Sequence, residues 1–275
     1  MPEGHTLFAL ARDLHEAFAG SHPEVTSPQG KFADGAAELT GRELVSATSR
    51  GKHLLVEFSG ERWLHVHLGL IGTFTVDEHE WTAEVPVVGQ VRLRLRTPEH
   101  VADLRGPNLC TVITPEEVDA VLARLGPDPL RPGADPDVAW TRIHRSSRSI
   151  AELLMDQSVL AGVGNVYRSE VLFRHRLSPF TEGKDLKRAS WRLVWDDLVR
   201  LLPLGVTTGR IVTVEDQVLD VEAALGRGEV PRLTERSSSV YKQAGMPCPA
   251  CGSRVRTQVV AGRNLFWCGR CQRRR

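Results

Sequence analysis

The chain has 275 residues, of which 41% are hydrophobic and 25% charged, and its formal net charge at pH 7 is +1. This composition is typical of a folded globular protein and excludes a disordered or fibrous chain. No apolar run approaches the roughly 18 residues of a membrane-spanning helix and no secretory leader is recognisable, so we expect a cytoplasmic protein of bacterial type.

The first predicted element is a helix after the opening residues MPEGHT. Apolar residues recur at three- and four-residue steps from Leu7 to Phe18, and Gly20 ends the pattern. Removal of the initiating methionine would give Pro2 a free secondary amine, of which about a tenth or more is neutral near pH 7. A helix start disfavours the ammonium form further, and Glu3 could shuttle protons beside such a nucleophile. The alternative is a frayed terminus without chemistry.

Strand patterns follow the first helix. They cover residues 44–58, 62–76 and 91–96, with a hairpin turn near residues 59–61. These segments predict a sheet-rich first domain.

A helix and a linker end this domain. Thr114 is a suitable N-cap, Pro115 suits the first helical position, and Glu117 completes a capping box for a helix that ends at Gly126. The next residues, in GPDPLRPGADPD, are the clearest linker of the chain.

Beyond the linker the pattern is helical. Helices are predicted at residues 138–144, 149–157, 165–174 and 186–202, whereas residues 207–239 have the polar, glycine-bearing composition of a flexible loop.

The segment LAGVGN joins two of these helices. Gly162 and Gly164 permit unusual backbone turns, and Asn165 is suited to cap the second helix. Exposed amides at a helix start form an anion site, so the segment is a candidate for phosphate binding. A plain helix–turn–helix corner is the alternative.

The last segment contains two CxxC pairs, Cys248 with Cys251 and Cys268 with Cys271. This spacing predicts one zinc ion in a closed four-thiolate site, which makes the metal structural. The residues between the pairs predict a hairpin with Arg263 at its tip. The fifth cysteine, Cys110, is expected to be a buried apolar thiol.

The C-terminal end is also strongly basic. Residues 236–275 contain nine Arg or Lys and no acid, whereas residues 61–140 carry thirteen Asp or Glu against seven Arg. A segregated basic end favours an anionic polymer as partner, although a solvated basic tail explains the charge as well.

Four motifs in this order resemble the formamidopyrimidine-DNA glycosylase and endonuclease VIII family of bifunctional DNA repair enzymes. They are MPEG, RGKHL, LLMDQSVLAGVGNVYRSE and GRNLFWCGRCQ, and they span nearly the whole chain. The resemblance implies an α+β multidomain fold with an N-terminal β-sandwich flanked by helices (1–126), a linker (127–136), a helix-two-turns-helix DNA-binding domain (137–239) and a C-terminal zinc-finger β-hairpin (240–275). DNA would lie in the cleft between the domains.

The resemblance also implies roles for single residues. Pro2 would attack the sugar C1′ and Glu3 would donate a proton to the sugar oxygen. Lys52 would contact phosphate and assist catalysis, while Asn165 and Arg263 would clamp the phosphates around an extruded nucleotide. Base excision through a Schiff base would be followed by β- and δ-elimination, and no cofactor would take part in the chemistry. The implied partner is double-stranded DNA with oxidised bases or abasic sites, bound by a monomer at the nucleoid.

Substrate preference follows less directly from the motifs. DQSVLAG resembles the endonuclease VIII side, which acts on oxidised pyrimidines, and DLRGPNLC lacks the phenylalanine of the purine-directed wedge. Arg105 and Leu70 are candidates for filling the void left by the base, or they are ordinary packing residues. His5 and Thr6 stand where the family commonly has a second acid.

Two other functions remain open at this point. One is a purine-directed glycosylase of the same family, and the other is a DNA-binding zinc protein without catalysis.

Overall fold

The computed structural model describes residues 2–79, 85–233 and 238–273. The chain divides into two compact units, Met1–Arg124 and Leu125–Arg275. Processing of Met1, residues 234–237 of the predicted loop and the last two arginines of the basic end lie outside the described residues. Within the described residues, no helix combines the length and apolar character needed to cross a bilayer.

The first unit is a β-sandwich with flanking helices, which confirms the expected fold class. Its elements are α1 (Gly4–Phe18), β1 (Glu24–Thr26), α2 (Ala33–Leu39), β2 (Leu44–Arg50), β3 (His53–Phe58), β4 (Arg62–His67), β5 (Thr73–Glu78), β6 (Val91–Arg96), β7 (His100–Arg105), β8 (Leu109–Ile113) and α3 (Pro115–Leu122). They form two four-stranded antiparallel sheets, with strand orders β1-β6-β7-β5 and β2-β3-β4-β8.

A large apolar core lies between the two sheets, and a smaller cluster of Leu55, Ile113 and Val118 lies beside α3. The inward faces of both sheets and one face of α1 supply the large core, including Leu7, Leu14, Phe18, Val56, Leu64, Leu93 and Leu104. The predicted hairpin joins β3 to β4 through residues 59–61, and both halves of the predicted capping box are present at the start of α3. Burial of α1 against the sheets fixes the chain start that precedes it.

The second unit is helical and ends in a hairpin. Its elements are α4 (Pro136–His144), α5 (Ile150–Leu153), α6 (Asn165–Arg174), a 3₁₀ turn (Gly183–Asp185), α7 (Arg188–Thr208), α8 (Glu215–Gly226), β9 (Val255–Val260) and β10 (Arg263–Cys268). Helices and hairpin share one core, which contains Leu154, Val163, Tyr167, Trp191, Leu198, Leu265 and Cys268. The hairpin is therefore part of this unit's core.

Three predictions in this unit were wrong. The helix expected over 149–157 is helical only as α5, and the residues after it form turns. The loop expected over 207–239 contains the end of α7 and the whole of α8. Asn165 does not cap α6: Gly164 is the N-cap residue, and the Asn165 side chain is used elsewhere.

Candidate functional site

The N-terminal candidates lie at the start of α1. Glu3 is the N-cap residue of this helix and is 0% exposed, and its carbonyl oxygen accepts the N–H of Thr6 at 2.9 Å. Its carboxyl group does not cap the helix. Pro2 is half-buried beside it. The arrangement places a buried carboxyl group next to the residue whose nitrogen would be the terminal amine.

His5 occupies a position near which the family commonly has a second acid. It is 3% exposed, and its Nε2 lies 3.2 Å from the Thr6 hydroxyl. A buried imidazole therefore occupies this part of α1.

Lys52 lies in the two-residue turn between β2 and β3. Arg50 and His53 pair across this turn, so Gly51 and Lys52 are its central residues. Lys52 is half-buried and is followed directly by His53, the first residue of β3.

Leu70 lies in a tight loop after β4. It is 44% exposed, and the Gly72 N–H donates to the Leu68 carbonyl oxygen at 3.1 Å. The next residue, Ile71, is 84% exposed and was not singled out from the sequence. Two adjacent apolar residues between Gly69 and Gly72 were the signal available for it. Exposed apolar side chains on a tight turn are suited to enter a gap in another molecule.

Arg105 has partners within its own sheet. Its guanidinium donates to Asp103 at 2.7 Å and to the Val88 carbonyl oxygen at 3.1 Å. Asp103 also accepts two bonds from Arg94, at 2.7 and 2.8 Å, and the Asp103 contact raises the pKa of Arg94. Arg105 therefore helps to fasten the segment around Val88 to the outer face of the sheet.

In the second unit, the structure connects the two predicted phosphate contacts. Asn165 is 4% exposed, its Nδ2 donates to the Asn264 carbonyl oxygen at 2.9 Å, and its Oδ1 accepts a bond from Arg168. Asn264 directly follows Arg263. The start of α6 and the hairpin are thus joined by one amide group.

Arg263 is the first residue of β10 and pairs with Val260 across the turn at Ala261 and Gly262. Both turn residues have positive φ, 50° and 72°, as a type I′ turn requires. A shallow cavity of about 430 Å³ adjoins this turn, lined by Arg148, Glu152, Met155, Asp156, Ala261, Gly262 and Arg263. The arginine predicted at the hairpin tip therefore opens onto a concave surface of mixed charge.

The four predicted zinc ligands converge. All four Sγ atoms lie within 4.8 Å of one another, with Cys248 and Cys271 at 3.9 Å and Cys251 and Cys268 at 3.5 Å. Tetrahedral Zn–S bonds of about 2.3 Å space sulfur atoms by about 3.8 Å, so this donor set fits zinc. Among the described residues it is the one His, Cys or acid cluster with metal-site geometry.

Cys110 differs from these four thiols. It is half-buried against the sandwich core, and burial raises its pKa to about 12. It packs against the core, although the sequence predicted a fully buried thiol.

Sequence reasoning missed Glu170. It lies in the middle of α6 and is 0% exposed. Its carboxylate accepts the N–H groups of Ser239, Val240 and Tyr241 at 2.8–2.9 Å and the Thr213 hydroxyl at 3.2 Å. An acid in the apolar stripe of a helix was the available signal. Glu170 fastens the chain that leads into the hairpin.

Three family domains match the chain. They are the formamidopyrimidine-DNA glycosylase N-terminal domain over residues 1–108, the formamidopyrimidine-DNA glycosylase H2TH domain over 125–216, and a zinc finger found in FPG and IleRS over 245–274.

Similar proteins agree with these matches. Endonuclease 8 1 of Mycobacterium tuberculosis is 47% identical over 99% of this chain and 100% of its own length. Formamidopyrimidine-DNA glycosylase of Thermus thermophilus is 34% identical, covering 84% of this chain and 83% of its own. The Lactococcus lactis Fpg in its complex with abasic-site DNA has the same fold, with a TM-score of 0.79 and 21% identity over 99% of this chain and 100% of that chain.

Proposed function

Because the chain belongs to the formamidopyrimidine-DNA glycosylase and endonuclease VIII family, on its endonuclease VIII branch, we propose that it removes oxidised pyrimidines from double-stranded DNA. As a DNA glycosylase and AP lyase, it then cuts the strand at the abasic site. The observation that carries the catalytic part of this proposal is the burial of Glu3 directly after Pro2 at the start of α1. The pyrimidine preference is supported by the 47% identity to Endonuclease 8 1.

The proposed nucleophile is the amine of Pro2. Its nitrogen attacks the sugar C1′ while the damaged base leaves, and Glu3 gives a proton to the ring oxygen O4′ so that the sugar opens to an iminium. An α-amine has a reference pKa of about 7.7–8, and the positive end of α1 lowers the fraction of ammonium further.

Strand cutting follows from the iminium. It is an electron sink that acidifies the C2′ proton, and loss of this proton expels the 3′ phosphate by β-elimination. A second elimination then expels the 5′ phosphate, and hydrolysis of the remaining imine frees Pro2. Glu3 can carry protons in these steps because it lies beside the reacting nitrogen.

The other site residues serve to hold the DNA backbone. Lys52, Asn165 and Arg263 are proposed phosphate contacts, and extrusion of the nucleotide gives Pro2 access to C1′. Leu70 is the preferred filler of the vacated space, because Arg105 already bonds Asp103 and the Val88 carbonyl oxygen. The enzyme would act as a monomer, in the cytoplasm at the nucleoid.

Zinc supports this interface without taking part in the reaction. Four thiolates fill its coordination shell, so the metal supplies structure to a hairpin too small to fold alone. Arg263 depends on that hairpin for its position.

Borohydride trapping tests the nucleophile. Wild-type protein with abasic-site DNA is expected to form a covalent adduct, and peptide mapping of the reduced adduct should place the DNA on the amine of Pro2. Attachment of the DNA to a lysine side chain would move the nucleophile to that residue.

A lesion panel tests the substrate class. Duplexes with thymine glycol or dihydrouracil should be cut faster than duplexes with 8-oxoguanine. The alternative is purine-directed excision, which the 34% identical Thermus thermophilus relative favours. Faster cutting of 8-oxoguanine would establish that alternative.

A further inference from the structure

Three histidines lie together on one face of the second sheet, next to Lys52. His53 starts β3 directly after Lys52, and His65 and His67 lie on β4. The His53 ring centroid lies 5.1 Å from that of His65 and 5.4 Å from that of His67. His65 is 4% exposed, so the cluster extends from the Lys52 turn into the sheet.

Two of these rings are bonded to each other. His53 Nδ1 and His65 Nε2 lie 2.8 Å apart, so one nitrogen donates and the other accepts. Two imidazolium rings would present two N–H groups to each other and lose this bond. The pair therefore needs at least one neutral ring.

The surroundings keep the rings neutral. Burial lowers the pKa of His53 most, and His65, His67, Arg124 and Lys52 lower it further, to about 4. Burial likewise lowers the pKa of His65 and His67. On the neighbouring strand β2, Arg50 is the residue paired with His53. On β8, Thr111 lies opposite His65 and Leu109 lies opposite His67. The bond thus persists at neutral pH.

We propose that His65 is a positioning residue for Lys52 and acts through its hydrogen bond to His53. Lys52 is one of two residues in the turn, and the residue after it is fixed by that bond to a buried ring on the neighbouring strand. A lysine ammonium on a flexible four-carbon stem depends on a fixed backbone origin to reach one phosphate. This inference rests on the proposed phosphate contact of Lys52.

The test uses the full chain and single-turnover cutting of abasic-site DNA. His65→Phe keeps a ring without nitrogen and is expected to lower the rate of cutting by bound enzyme roughly tenfold to a hundredfold. His65→Gln can still bond His53 and is expected to stay within a few-fold of wild type. His22→Gln makes the same change at an exposed site of the same unit and should leave the rate unchanged. Affinity for DNA should be similar in all four proteins, because the proposed phosphate contacts of Asn165 and Arg263 are unchanged.

A double-variant comparison separates positioning from general damage. In a Lys52→Ala background the His65→Phe effect should disappear, since no lysine remains to be positioned. An equal loss in that background would overturn the inference. Should His65→Phe fail to fold, His65→Asn carries the same expectation, because its shorter amide does not span the distance to His53.

An activity-independent measurement distinguishes this inference from the proposed function. In the DNA-free protein, amide hydrogen exchange at Gly51 and Lys52 should be faster in His65→Phe than in wild type or His65→Gln. Wild type that cannot cut abasic DNA would overturn the function, whereas unchanged exchange in His65→Phe would overturn the positioning role. Zinc analysis gives a further check. Two zinc ions per chain in wild type and one in His65→Phe would show that the histidines bind a metal, and would overturn the positioning role.

Discussion

Glu3 and Glu170 are both fully buried carboxyl groups, yet their surroundings differ. Glu170 accepts three backbone N–H groups and one hydroxyl, which is a structural arrangement. At Glu3 the main-chain carbonyl oxygen accepts the Thr6 N–H, and the carboxyl group does not cap the helix. The four contacts of Glu170 assign it an anchoring role, whereas proton transfer is the proposed role of Glu3.

Glu170→Gln tests the anchor. An amide nitrogen would face a backbone N–H in place of one carboxylate oxygen, and the buried donor left unpaired costs about 1–3 kcal/mol of unfolding free energy. Denaturant unfolding measures the change. Glu229→Gln is the matched control, since its ion pair with Arg227 is exposed to solvent and should contribute little to stability. Equal stability of the two variants would contradict the anchoring role of Glu170.

Asn165 illustrates what the sequence can and cannot indicate at a single position. A glycine-flanked Asn before an apolar helix predicts a cap, and the helix does begin there. The side chain instead bonds a carbonyl oxygen 99 residues further along the chain. Local pattern predicts backbone conformation, whereas a partner from a distant segment depends on tertiary packing.

The zinc hairpin turns through a residue in a costly conformation. Ala261 has φ 50°, which disfavours any residue with a Cβ atom, while Asn adopts this region readily. Ala261→Asn is expected to stabilise the protein by on the order of 1 kcal/mol and to keep one zinc ion per chain. Thermal unfolding with zinc analysis measures both. Ala261→Val should be destabilising. An Asn variant less stable than wild type would show that residue 261 does not have the positive φ of a type I′ turn.

The histidines of β3 and β4 predict a loss of stability in acid. Their pKa values are lowered in the folded state, so below about pH 6.5 the unfolded chain binds protons that the folded chain does not. Stability should therefore fall as the pH drops from about 6.5 towards 4. Thermal midpoints across this range should fall less steeply in His65→Gln than in wild type or His22→Gln. If the thermal midpoints of all three proteins fell equally with pH, His65 would not contribute to the loss of stability in acid.

Helices α7 and α8 show where periodicity fails as a predictor. Pro203 indicates a helix end, yet α7 continues to Thr208 because Leu201, Leu202 and Leu204 are buried in the core. In α8, Val218 and Val221 are the only buried residues of a largely polar segment. Tertiary packing outweighs the local signal in both cases. The strands and the α3 capping box were predictable because their patterns are local.

Each unit has its own core, and the metal hairpin belongs to the second. Leu265, Phe266 and Trp267 of β10 pack with the helices there. The order of the four motifs was enough to predict this architecture, because each motif marks a different part of the chain. The bonds of Asn165 and Glu170 were not predictable, because they join residues distant in sequence.

Removal of zinc should affect the whole second unit. A strong chelator is expected to release one zinc ion per chain, change the near-ultraviolet signal of Trp267 and weaken binding of abasic-site DNA. The reason is that β10 carries both Arg263 and the carbonyl group that Asn165 bonds. Cys110→Ser should retain the metal and the binding. Full DNA affinity after metal loss would contradict this dependence.

The raised pKa of Cys110 has a chemical consequence in the setting where such an enzyme works. Peroxide attacks the thiolate form of cysteine, and a thiol with a pKa of about 12 holds almost no thiolate at neutral pH. The oxidants that damage DNA bases would therefore leave the sandwich core unmodified at this sulfur.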